Sequence, residues 1–159
     1  MSNHLEDNTS TAHNDSSNVS VQNLSDDSSS CYYLHPSDNH SALLVFEIFI
    51  GENYIAWSRS ISIALTVKNK IAFVDGSLVQ PITTDHSFHV AWLRFNNLVL
   101  SWLMNSIAKD IRSSLLYFTT TFDIWEELRI RYLKSDGPRV FYLEKSLSSI
   151  SQNSKSITK

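Results

Sequence analysis

The chain has 159 residues, 42% hydrophobic and 11% aromatic, with 13 Lys and Arg, 16 Asp and Glu and one Cys, so it holds one domain at most. The acidity is local: residues 1–31 contain Glu6, Asp7, Asp15, Asp26 and Asp27 and no Lys or Arg, leaving 13 basic and 11 acidic groups in residues 32–159, a balance unlike that of a strongly basic nucleic-acid binder. Cys31 alone excludes an intrachain disulfide and a cysteine-cluster zinc site, and no stretch has the apolar length of a membrane helix or the layout of a secretory leader; a soluble, intracellular, cytoplasmic chain is expected.

Residues 1–30 are dominated by Ser, Asn, Asp and Thr, with Leu5, Val19, Val21 and Leu24 as scattered apolar positions. So little apolar area cannot offset ordering entropy, which predicts a disordered acidic leader. No repeat of fixed period is present, which excludes solenoids and propellers. The run Ala42–Ile50, closed by Gly51, has the length and the β-branched and aromatic content of an extended segment. Beyond it, Asn53 is placed to cap a helix carrying Tyr54, Trp57, Ile61, Ala64 and Leu65 on one face, with Lys68 and Lys70 offsetting the negative carbonyl end. Asp75-Gly76 marks a turn.

A second helix is predicted from Thr84 or Asp85, with Phe88, Ala91, Trp92, Phe95, Val99, Trp102 and Leu103 on its stripe. Asn105-Ser106 interrupts the pattern, and Ile107, Ile111, Leu115 and Leu116 continue it as a short helix or bent extension. Thr120 and Asp123 have capping-box spacing ahead of a helix whose predicted inward face is Phe122, Trp125, Leu128 and Tyr132. Asp136-Gly137-Pro138 stops that helix and opens another with Val140, Leu143, Leu147 and Ile150 on its apolar side. The polar close after Gln152 reads as the opening of a further helix, so the domain is expected to be cut short at its C-terminus, leaving that apolar side in need of a partner.

Candidate chemistry is sparse. His86 and His89 lack a carboxylate or thiol partner at ligand spacing, and His35-Pro36-Ser37-Asp38 fits a capped local turn better than a nucleophilic triad assembled across a fold. The isolated glycines 51, 76 and 137 cannot form a phosphate-binding loop. Arg129, Arg131, Lys134, Arg139 and Lys145 form a basic stretch able to contact nucleic acid, although a solvated helix face explains it as well, since the aromatics there follow core periodicity. The indoles of Trp57, Trp92, Trp102 and Trp125 lie on helical stripes that themselves need burial. The expected structural core is Tyr54, Trp57, Ile61, Trp92, Phe95, Val99, Trp102, Trp125 and Leu128.

Tyr32-Tyr33-Leu34-His35-Pro36-Ser37-Asp38-Asn39, followed by Gly51-Glu52-Asn53-Tyr54-Ile55-Ala56-Trp57-Ser58-Arg59, resembles the N-terminal segment of Gag polyproteins from copia-type LTR retrotransposons of plant genomes. The likeness continues through Lys68-Asn69-Lys70, Phe73-Val74-Asp75-Gly76-Ser77, Val99-Leu100-Ser101-Trp102, Ile124-Trp125-Glu126-Glu127-Leu128 and Gly137-Pro138-Arg139-Val140-Phe141, covering about residues 31–155. It implies an all-α, capsid-like helical bundle with a short extended N-terminal arm. The leader would span 1–30, the copia-like N-terminal segment 31–78 and a truncated gag domain 79–159. The implied role is non-catalytic self-association with other Gag chains, without cofactor, metal, membrane or small-molecule substrate. RNA contact would be weak, because one Cys cannot build the family's zinc knuckle. Where the family usually has Pro and a polar residue, this chain has Ile48 and Ile50; removing Pro from an edge favours association, and Ile48→Pro is expected to reduce particle size in light scattering. The competing readings are an RNA-binding module on 129–145 and an unrecognised enzyme around His35 or His86.

Overall fold

The computed structural model describes residues 21–82 and 86–133. Among these the order is α1 (Val21–Asp26), α2 (Tyr54–Val67), a 3-10 turn (Ile71–Phe73), α3 (His86–Asn105), α4 (Lys109–Ser113) and a helical stretch at 121–133, termed α5. The fold is all-α: no strand occurs among the described residues, only a parallel bridge between Phe49 and Ile107. None of the described helices is long and apolar enough to cross a membrane.

Two helices supply most of the core. Along α2, Tyr54, Trp57, Ile61 and Leu65 recur at steps of three and four and are buried; along α3 the same is true of Ala91, Trp92, Phe95, Val99, Trp102 and Leu103. From α5, Ile124 and Leu128 are fully buried, while Trp125 is half-buried, its ring 5.7 Å from that of Trp57. Tyr32 joins the N-terminal segment to this core through edge contacts with Phe95 at 5.8 Å, Phe73 at 6.3 Å and Phe88 at 6.5 Å. Within the stretch expected to be leader, Val21 and Leu24 lie three residues apart on α1 and pack against the core, enough to fix one short helix there.

Several local expectations need correction. The run 42–50 is not a continuous extended segment: the chain bends at 44, 46 and 47, and only Phe49 pairs, its N–H donating to Ser106 O at 2.7 Å and its carbonyl accepting from Ala108 N at 2.9 Å. Phe49 is completely buried against Trp57 (4.8 Å, stacked) and Tyr132 (4.8 Å, edge-on), so one ring's burial outweighs the β propensity of its neighbours. Asn53 stands at the N-cap of α2 but makes no cap bond; its Oδ1 accepts from Ile50 N at 3.0 Å and its Nδ2 donates to Ile48 O at 2.9 Å, pinning the arm. Gly51, at φ 99°, completes this corner where the Tyr132 ring would meet a Cβ at 3.4 Å.

Phe122 and Leu116 are exposed; the inward positions are Thr121, Ile124 and Leu115. Leu128 is buried as expected and Trp125 and Tyr132 pack against the core, but the first turn of α5 turns Thr121 inward in place of Phe122, where it meets Asn96: Thr121 N–H donates to Asn96 Oδ1 at 2.9 Å and Asn96 Nδ2 donates to Thr119 O at 3.0 Å. The capping box is half formed. Thr120 Oγ1 accepts from Asp123 N at 3.1 Å, but the Asp123 carboxylate takes the Thr120 hydroxyl proton at 2.6 Å in place of a backbone amide. The predicted start of α3 at 84 or 85 and the helix after Pro138 lie outside the described residues.

Candidate functional site

The Tyr33–Asn39 and Lys68–Lys70 motifs meet at the C-terminal end of α2. Lys68 and Lys70 do more there than offset a helix dipole. Lys68 forms an ion pair with Asp38, whose side chain is 3% exposed, and its ammonium lies 5.1 Å from the centre of the Trp102 ring. Lys70 is buried, donating to Tyr33 O at 2.8 Å and Lys68 O at 3.4 Å and lying 5.1 Å from the centre of the Phe95 ring. Burial holds its pKa below the ordinary lysine value, partly opposed by Asp38 and the Cys31 thiol. Asn69, at φ 55°, donates to Ser29 O. From α3, Trp102 Nε1 donates to Asn39 O at 2.6 Å and Asn105 Nδ2 to His40 O at 2.9 Å. Residues 29–40 are thus strapped across α2 and α3 by side chains that reach backbone carbonyls 37 to 65 positions away.

This strap borders a polar cleft of about 530 Å³ lined by Ser30, Tyr33, His35, Asp38, Lys68 and Lys70. The cleft gathers titratable groups, but their bonds form a turn. His35 Nδ1 accepts from Ser37 N at 3.2 Å and lies 2.7 Å from Ser37 Oγ, while Asp38 Oδ2 accepts from the backbone N–H of His35 at 3.3 Å and Oδ1 faces Lys68. Asp38 therefore fixes the His35 main chain and leaves the imidazole unoriented, which is not the arrangement of a catalytic triad. His86 is exposed and His89 Nδ1 lies 3.3 Å from Pro81 O, tying the preceding loop to α3. No group of three or more metal-ligating side chains occurs among the described residues.

The basic stretch is only partly in view. Arg129 makes a bidentate contact with Glu126 (Nε to Oε1 at 2.9 Å, Nη2 to Oε2 at 2.7 Å), and Arg131 pairs with Glu127 and donates to Ser114 Oγ at 3.0 Å. Both carboxylates lie one turn upstream of the stretch, and both arginines are engaged by them. Lys134, Arg139 and Lys145 lie outside the described residues.

The structure places Tyr54, Trp57, Ile61, Trp92, Phe95, Val99, Trp102 and Leu128 in the buried core and Trp125 at its edge. Trp57 Nε1 donates to the buried Ser106 Oγ at 3.2 Å, whereas Trp92 Nε1 is buried without a partner among the described residues. Sequence reading missed Ser106, Asn96 and Thr121 as buried polar groups. Asn96 could have been found, because it stands four residues after Trp92 and three before Val99, on the inward stripe itself.

Residues 35–82 match the family described as Gag-polypeptide of LTR copia-type. That segment is similar to a copia-type Gag region. The matched segment contains the strap from His35 onward, the arm, α2 and the Asp75-Gly76 turn. In that turn Gly76 has φ 79° and Ser77 N–H donates to Asp75 Oδ1 at 2.8 Å, and a Cβ on Gly76 would meet the Phe122 ring at 2.9 Å. No curated protein and no solved structure matches the chain.

Proposed function

We propose that this Gag-like protein acts by capsid-type self-association, its surface and not a reactive centre being the working part. The observation that carries this reading is the copia-type Gag match over 35–82, in which the motif residues are spent on bonds within the chain. Exposed apolar side chains at Leu43, Phe46, Ile48, Ile50, Ile63 and Val67 in the same segment supply surface that gains by being covered. Assembly of this kind takes other Gag chains as partners, in the cell interior, and needs no cofactor or small-molecule substrate.

RNA contact through residues 129–145 is the competing reading. The engagement of Arg129 and Arg131 by Glu126 and Glu127 counts against its first half. Size-exclusion chromatography with light scattering over a concentration series, with and without single-stranded RNA, separates the two. Mass that rises with protein concentration and persists in high salt is expected. Mass that rises only with RNA and falls steeply with salt would favour the basic stretch, because phosphate contacts release counterions. A monomer under all conditions would defeat both.

A further inference from the structure

Helix α2 carries a second stripe on its outer side, apolar except for Ser60. Tyr54, Trp57, Ile61 and Leu65 face the core, whereas Ala56, Ser60, Ile63 and Val67, also three or four residues apart, are exposed, Val67 to 83%. The bent arm at 44–47 runs beside this stripe and leaves a groove of about 440 Å³ lined by Leu44, Val45, Trp57, Ile63 and Ala64, with Phe46 on its wall, Ser60 as a polar lining residue and Glu47 as its one charged one. At the lip of the groove the Phe46 side chain stands wholly in solvent, and Leu43 and Ile48 beside it in the arm are also exposed. A phenyl ring standing in solvent on the wall of a mostly apolar groove leaves apolar area that gains by being covered.

We propose that this face docks a second copy of the chain, each copy seating its Phe46 ring in the other's groove. The inference rests on the self-association reading and assigns it a surface. Projecting ring and receiving groove lie on one surface of one molecule, which is what an isologous two-fold contact requires, since each element then meets its complement by the same operation. The groove is large enough, as an apolar cavity of about 150 Å³ already holds benzene. Counting roughly 200 Å² for the aromatic ring and about half that for each exposed aliphatic, Phe46, Ile48, Ile63 and Val67 offer roughly 500 Å² per copy. The pair then buries roughly 1,000 Å², the lower limit for a specific interface, which sets the expectation of a weak, reversible dimer. An aromatic side chain in a dry pocket is the usual energetic centre of such a contact.

Sedimentation velocity on the whole chain across a concentration series tests this with Phe46→Ser, which removes the projecting ring, and Ile63→Arg, which places a charge in the groove. Both positions are solvent-exposed, so each variant's thermal melt should stay close to the parent's. The expected result is a concentration-dependent dimer, insensitive to salt, weakened about tenfold or more by either substitution. Association that neither variant changes would overturn this face while leaving the assembly reading intact. A parent that stays monomeric throughout would overturn both. Association that emerges only after residues 134–159 are deleted would give the groove to the chain's own C-terminal segment and would also overturn the proposal.

Discussion

Two neighbouring stretches, the strap at 29–40 and the arm at 42–50, are held by different balances of contact. Besides the buried ring of Tyr32, the strap is fastened by polar side chains, with Lys68 on Asp38, Lys70 on the Tyr33 carbonyl and Trp102 on the Asn39 carbonyl, so much of its own sequence can be polar. The arm is fastened by one buried ring, Phe49, and by Asn53, and turns most of its other large apolar side chains outward. A segment held by directional bonds has its internal needs met. A segment with one fully buried ring and a few half-buried neighbours such as Leu44 and Val45 keeps apolar surface for something else, and that contrast separates residues that fold the domain from residues available for contact.

The largest break in the comparison is Phe49→Ala. It removes a completely buried ring stacked on Trp57 and edge-on to Tyr54 and Tyr132, and large-to-small changes of this kind cost about 3–5 kcal/mol. Urea or guanidinium unfolding should show that loss, with the bridge to Ile107 released; a loss below about 1 kcal/mol would mean that the arm is not anchored there.

Strap and arm respond to alkali in the same direction, because each leans on a buried phenol. Burial pushes Tyr32, within the strap, up to about 12, and likewise Tyr54, beside the arm, where Arg129 lowers and Glu126 raises it by smaller amounts. A folded-state pKa above the unfolded value of 10 means that the native state holds its proton longer, so stability is fully present below pH 10 and is lost as pH rises toward 12. The loss should be on the order of 2 kcal/mol for each ring. Lys70 has the opposite sign: its pKa is lowered by burial, so its contribution improves as pH rises toward 10.5. Denaturant melts from pH 9 to 11.5 should show Tyr32→Phe and Tyr54→Phe each flattening the alkaline decline, and a decline unchanged in both variants would show that these phenols are not its source.

Asp38→Ala comes next in size. It strips Lys68 of its carboxylate and His35 N–H of its acceptor, at a cost of about 1–3 kcal/mol for a mostly buried pair. Hydrogen exchange should localise the damage to amides of 29–40 and spare Phe49. Exchange that rises equally in the arm would show that the two stretches open together.

What could be read from the amino-acid order follows the same division. The stripes of α2 and α3 are legible because burial imposes a 3.6-residue period on bulky side chains along one continuous helix. The strap's fastenings are not legible, since they join residues 30 to 65 positions apart and Lys68 and Lys70 look like any helix-ending lysines until Asp38 and Tyr33 are brought beside them. The arm's inward residues are not legible, because an apolar run broken only by Glu47 has no alternation to show which of them turns inward. On α5 the inward turn of Thr121 depends on the Asn96–Thr121 pair, in which two polar groups are buried only because each satisfies the other. The groove beside α2 could not be read either, for it exists only where the bent arm stands off from the helix.

The smallest expected effect sharpens the contrast most. Phe46 and Phe49 are the same residue type three positions apart, yet Phe46 is fully exposed and Phe49 fully buried. Because Phe46 covers nothing in the core, Phe46→Ser should change unfolding free energy by no more than about 0.5 kcal/mol, the usual range for a surface substitution. The melt should be made at a protein concentration well below that at which association sets in, so that mass action adds no stability to the parent. A loss of 2 kcal/mol or so there would mean that the ring shields α2 within its own chain, and the arm would then be a second strap held by apolar contact. An unchanged melt leaves the exposed phenyl without a role in folding, and surface of that kind is explained by what the chain meets outside itself.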